Sequence, residues 1–103
     1  MHKVSNQDAD QAIRNLEEFR GPNFYGVRGS ASPRASEGWQ LYGEALRRFC
    51  EDQDAGRIVY AVWSYATPIA WYGSGGWVVP SEKYSHTTSR HQYIVRRAVA
   101  AGV

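Results

Sequence analysis

The stretch from Ile58 to Pro80 constrains this chain more than any other. It opens with Ile58-Val59-Tyr60-Ala61-Val62-Trp63-Ser64-Tyr65, a β-branched and aromatic run that is apolar on both faces. Such a run is too apolar for a strand with one wet face. Ala66-Thr67-Pro68 breaks it, Ile69-Ala70-Trp71-Tyr72 returns, Gly73-Ser74-Gly75-Gly76 turns again, and Trp77-Val78-Val79 follows. Pro80 has no N–H to give a ladder and ends the pairing. The pattern predicts a three-stranded antiparallel meander over 58–80.

Three helical patterns surround the meander. Ser5-Asn6-Gln7-Asp8 reads as a cap, a hydroxyl with an acid three residues on. Ala9, Ala12, Ile13, Leu16 and Phe19 then recur at helical spacing, which predicts a helix over 6–20 ended by Gly21-Pro22. Tyr42, Ala45, Leu46, Phe49 and Cys50 form a second stripe, with Trp39 extending it backwards. Gly56 suits the left-handed cap of a helix over 43–54, and residues 39–42 are either helical or extended. The third helix is expected over 88–101, with Thr87, Thr88 and Ser89 as caps and Gln92 completing a capping box. At 100° per residue, His91, Ile94, Val95, Ala98 and Ala101 share one side of it, and Arg90, Gln92, Tyr93, Arg96 and Arg97 the other. Residues 21–38 read as loop, with a short edge strand at 24–28 and a mobile stretch at Ser30-Ala31-Ser32-Pro33-Arg34. The expected fold class is α+β: a three- to four-stranded antiparallel sheet packed by helices 6–20, 43–54 and 88–101.

Length and composition narrow the function classes. The 103 residues make one domain, 1–103, of ordinary globular composition, 43% hydrophobic and 21% charged. No apolar run approaches the ~20 residues of a membrane span, and no secretory signal precedes the first helix. A single cysteine, Cys50, forbids an intrachain disulfide and suits a reducing, cytoplasmic compartment. The net charge is only +2, but it is unevenly distributed: residues 1–57 hold eight Lys/Arg against nine Asp/Glu, and residues 58–103 hold four against one. Lys83, Arg90, Arg96 and Arg97 therefore make the C-terminal end mildly basic.

Candidates for chemistry are few. His91 lies within the apolar stripe of the third helix and reads as a neutral, buried imidazole bonded to backbone or to a hydroxyl such as Ser85 or Thr87. Catalysis and metal ligation are the competing readings. His86 and His91 stand five apart, which does not align two imidazoles for zinc, and no other His or Cys is close in sequence. Cys50, on the stripe with Phe49 and Leu46, reads as buried packing. Gly73-Ser74-Gly75-Gly76 matches neither a nucleophile elbow nor a phosphate loop. Glu17-Glu18, Glu51-Asp52 and Asp54 read as helix-surface or helix-end acids. These features nominate no catalytic residue, no metal and no cofactor, and a hydrolase or transferase using His86 or His91 is the weakest functional reading.

The most specific string is Trp63-Ser64-Tyr65-Ala66-Thr67-Pro68-Ile69-Ala70-Trp71, then Trp77-x-Val79-Pro80, then Lys83-Tyr84-Ser85-His86-Thr87-Thr88-Ser89-Arg90-His91-Gln92. Over residues 58–97 it resembles a family of small proteins and domains of unknown function from actinobacterial phages and plasmids. Ala66 departs from that family's pattern, which favours glycine there. The resemblance implies a phage or mobile-element origin and brings no catalytic residues with it.

The leading expectation is a small non-enzymatic accessory protein that binds a host or phage protein, or itself. Six of the fourteen aromatic residues lie between Tyr60 and Trp77, more ring surface than three short helices are expected to cover. The rings left exposed would mark an interface. The expected partner-binding residues are Trp63, Tyr65, Trp71, Tyr72, Arg90, Arg96 and Arg97. The alternative is a nucleic-acid-binding protein in which the basic C-terminal helix meets phosphates and the sheet aromatics stack on bases.

Overall fold

A computed structural model describes residues 2–3, 9–21, 23–29, 43–65, 67–80 and 86–101, and the side chains of 2–3, 86–89 and 101 are outside the description. The expected cap at Ser5–Asp8, the stretch Ser30–Arg34, the start of the second helix at 39–42, the turn residue Ala66 and the hydroxyl of Ser85 lie outside the described residues.

The chain is α+β. Its elements are β1 (His2–Lys3), α1 (Ala9–Arg14), β2 (Phe19–Gly21), β3 (Phe24–Arg28), α2 (Gly43–Asp54), β4 (Ile58–Ser64), β5 (Thr67–Gly73), β6 (Gly76–Val78) and α3 (His86–Ala101). The strands form one sheet in sequence order. β2 to β6 are antiparallel throughout, and the two-residue β1 adds a parallel edge on β2.

The meander forms as the sequence predicts, but the sheet is larger than the three to four strands expected. The reason lies at the end of α1. Its apolar spacing continues to Phe19, yet the helix stops at Arg14. Leu16 takes a left-handed conformation (φ 54°), its N–H bonds to the Ile13 carbonyl at 3.1 Å, and the Glu17 N–H bonds to the Ala12 carbonyl at 2.8 Å. This pair of bonds is a Schellman cap built on a leucine. It releases Phe19–Gly21 into a strand that pairs antiparallel with β3, Gly21 opposite Phe24, so Gly21 belongs to a strand rather than to a helix end, and Pro22 lies outside the described residues. Residues 24–28 are accordingly an interior strand between β2 and β4, not an edge. α2 ends with the same pair of bonds around Gly56 (φ 68°), as expected.

The helices cover both faces of the sheet. Ala9, Ile13, Phe19, Phe24, Tyr60, Val62, Ile69, Ala70, Val95 and Ala98 form one core under α1 and α3. Val27, Ala45, Phe49, Ile58, Ala61, Trp63 and Trp71 form the other under α2. Two register shifts between β4 and β5 adjust the alternation: Val59 and Ile69 are each skipped in the pairing. Val59 is thereby turned to solvent, 53% exposed, while Ile69 and its neighbour Ala70 both enter the α1/α3 core. Gly26, on β3, is required by close packing. A Cβ there would stand 2.2 Å from the Tyr60 hydroxyl and 2.6 Å from the Phe19 ring.

Candidate functional site

Both sheet faces being covered, the surplus of exposed rings does not arise. Trp63 and Trp71 are buried, which corrects their reading as partner-binding rings, and Tyr60 is buried with them. Phe49 of α2 meets Trp71 edge to face at 4.9 Å and Trp63 at 5.9 Å, so one helical residue seals both indoles. Tyr72 is half-buried on the other face and tilts against Trp77 at 5.4 Å. Of the four predicted sheet aromatics only Tyr65 is open, at 46% exposure.

Tyr65 is held in an unusual way. It follows β4 with φ 55°, a left-handed conformation that costs a bulky residue energy and persists only where its surroundings impose it. Those surroundings are its N–H, which donates to the Asn23 carbonyl at 2.8 Å, and its carbonyl, which accepts from the Tyr25 hydroxyl at 2.5 Å. Its ring lies 6.4 Å from His91, which places Tyr65 beside the N-terminal part of α3. Arg90, Tyr93, Arg96 and Arg97 of that helix are exposed, Tyr93 at 61%. Arg97 lies over the Tyr93 ring at 5.8 Å, and Arg96 donates to the Pro80 carbonyl at 3.4 Å. The helix carries no carboxylate.

The structure therefore brings Tyr65 to His91, the chain neighbour of Arg90 on α3, and buries Trp63 and Trp71 under α2. Gln92 is also corrected: assigned to the open side of α3 by its helical angle, it is 2% exposed.

His91 is buried, as its stripe position predicts, and its partner is Ser64 of β4. The Oγ and Nδ1 atoms are 2.6 Å apart, and the imidazole stacks on Phe24 at 4.3 Å. Burial pulls the His91 pKa down to about 4, so the ring is neutral near pH 7. Ser64 and His91 are 1% and 0% exposed, which gives this pair the geometry of an internal strut between sheet and helix. Thr67 and Gln92 are buried too. Four residues of the specific sequence string are thus among the buried polar residues of the core. The side chains of His86 and Thr87 are not among those described.

Sequence reasoning missed Asp52, a buried carboxylate that accepts from three side chains. It sits three residues after Phe49 on the covered stripe of α2, a spacing that could have disclosed it. Trp71 Nε1 donates to Oδ2 at 2.9 Å, Arg48 Nε to Oδ2 at 3.2 Å and Arg57 Nε to Oδ1 at 3.2 Å. Burial pushes this carboxyl upward, but the Trp71, Arg57 and Arg48 donors outweigh it and hold the pKa below the ordinary aspartate value. Cys50, expected to be buried, is exposed. It stands about 100° round the helix from Phe49, beyond the arc that meets the sheet.

Among the described residues no three His, Cys, Asp or Glu side chains converge as metal ligands, and no helix is long and apolar enough to cross a membrane. Neither the curated proteins nor the solved structures give a match to this chain. A family model does match, and it reaches well before the 58–97 string, taking in β2, β3 and α2. With residues 14–96 matched, the chain belongs to the family of unknown function DUF8033.

Proposed function

We propose that this protein is a small non-enzymatic accessory module of the phage type that binds another protein through Tyr65 and the exposed side of α3. The observation that carries the reading is Tyr65 itself, an open aromatic in a left-handed backbone conformation, pinned by two hydrogen bonds, its ring 6.4 Å from His91 on a helix that bears three arginines and no carboxylate. Strain retained at an exposed ring is a reason to look for a function there. Tyrosine and arginine are also the residue types that dominate protein interfaces. Arg90, Arg96 and Arg97 favour an acidic partner surface. They disfavour a two-fold self-contact through α3, which would set arginine against arginine. The phage setting rests on the resemblance of residues 58–97.

A second reading, nucleic-acid binding, draws on the same arginines. With Trp63 and Trp71 buried, base stacking would fall to Tyr65 and Tyr93. The test is affinity capture from an actinobacterial lysate with the wild-type protein and a Tyr65→Ser/Arg97→Glu variant of matched Tm, with and without nuclease. A protein held by the wild type, lost with the variant and indifferent to nuclease is the expected result. Loss on nuclease treatment would transfer the site to nucleic acid, and identical capture by both proteins would refute the surface.

A further inference from the structure

On the sheet face opposite α3, an open groove of about 390 Å³ runs between α2 and the β5–β6 turn, within the size range of small-ligand sites. Asp52 lies in its wall with its side chain 10% exposed, flanked by Arg48 and Arg57, whose side chains are 53% and 49% exposed. Each arginine commits its Nε to Asp52. Among the described residues their Nη groups have no other partner, so two guanidiniums share one carboxylate and keep their outer donors unused. The opposite side is formed by Val78, the edge of Trp71 and the turn Gly73-Ser74-Gly75-Gly76, which adds the Ser74 hydroxyl to otherwise small or apolar residues. Gly73 lies so close to the chain at Arg57 that a Cβ would stand 2.3 Å from the Arg57 carbonyl oxygen, which holds the turn against the arginine wall. Glu44 and Glu51 stand at the rim, both in ion pairs with Arg47.

We propose that this groove binds a small organic acid. Its carboxylate would bridge the Nη groups of Arg48 and Arg57, the planar pairing that guanidinium favours, and its apolar body would lie along Val78 and the turn. Asp52 is the positioning residue: it fixes both guanidiniums through Nε and leaves their outer donors to the ligand. Glu44 and Glu51 restrict the ligand to a single charge, because they repel a dianion or a polyphosphate.

The test is an NMR titration of the intact protein with benzoate, against chloride at equal ionic strength. N-acetyl-phenylalanine is a second probe, carrying the carboxylate on a peptide unit. Expected are saturable shifts of the Trp71 indole N–H and the Gly73, Gly75 and Gly76 amides with both acids and not with chloride. The tighter of the two tells a free acid from a peptide C-terminus. Arg57→Gln leaves Asp52 its Trp71 and Arg48 donors and should raise the half-saturation concentration roughly tenfold. Glu51→Gln should lower it, and this second variant decides the matter if the first does not fold. Shifts that stay linear, that chloride reproduces, or that neither substitution alters would overturn the proposal. Since α3 takes no part, failure here leaves the α3 surface standing, and the converse holds.

Discussion

The two faces of the sheet solve the same problem with different chemistry. Under α1 and α3 the core is mixed: aliphatic side chains, two phenylalanines, the Tyr60 ring and a buried neutral histidine. Under α2 it is concentrated, with two tryptophans closed by Phe49 and a carboxylate that takes a hydrogen bond from one of them. A face served by two helices distributes its contacts. A face served by one depends on a few large rings, since aromatic side chains bury the most area per residue.

The strongest way to break this contrast is to remove its keystone. Phe49→Ala should cost about 3–5 kcal/mol in denaturant unfolding and loosen amide exchange throughout α2. Ile13→Ala, in the distributed core, should cost less and leave α3 protected. The reverse order would refute the contrast.

The next effect is one of pH, and it belongs to the α1/α3 face. Protonation of His91 is disfavoured in the folded chain, about 4 against an ordinary 6.5. The unfolded chain therefore binds more protons between those values. The contribution of His91 is complete above about pH 6.5 and declines as the pH falls towards 4, by ~3 kcal/mol in all. The imidazole resonances give the pKa directly, and a value near 6.5 would refute the buried Ser64 strut. Asp52, on the α2 face, has its pKa lowered instead, so its share is lost only as the pH falls below the ordinary aspartate range, near 4.

Two smaller changes sharpen the description of the α1/α3 face. Gly26→Ala should cost about 1–3 kcal/mol by overpacking against Tyr60 and Phe19. Tyr60→Phe removes the hydrogen bond from the hydroxyl to the Glu17 carbonyl, 2.7 Å long, and should cost ~1 kcal/mol. The double variant should cost less than the sum, because the hydroxyl is the nearest atom to the added methyl. Strict additivity would show that the Phe19 ring alone sets the limit.

Much of the fold was legible in the residues. The meander follows from β-branched and aromatic runs broken by Pro68, the glycines of 73–76 and Pro80, and α2 follows from its stripe and Gly56. The end of α1 was not legible, since leucine rarely caps a helix in a left-handed conformation. That one residue converts a predicted long helix into a short helix and a strand. The candidate surface was half legible. The arginines of α3 declare themselves by helical angle, and Tyr65 by composition, but nothing local separates Tyr65 from Trp63 two residues earlier.

By itself the sequence determined the class of structure, the position of the meander and, Gln92 excepted, the inward side of α3, because each depends on local periodicity and turn chemistry. Only the tertiary structure decided which rings are hidden, that Asp52 is buried while Cys50 is not, and that Ser64 meets His91. Those outcomes depend on which helix lies over which face of the sheet, and that is set by packing between segments far apart in the chain.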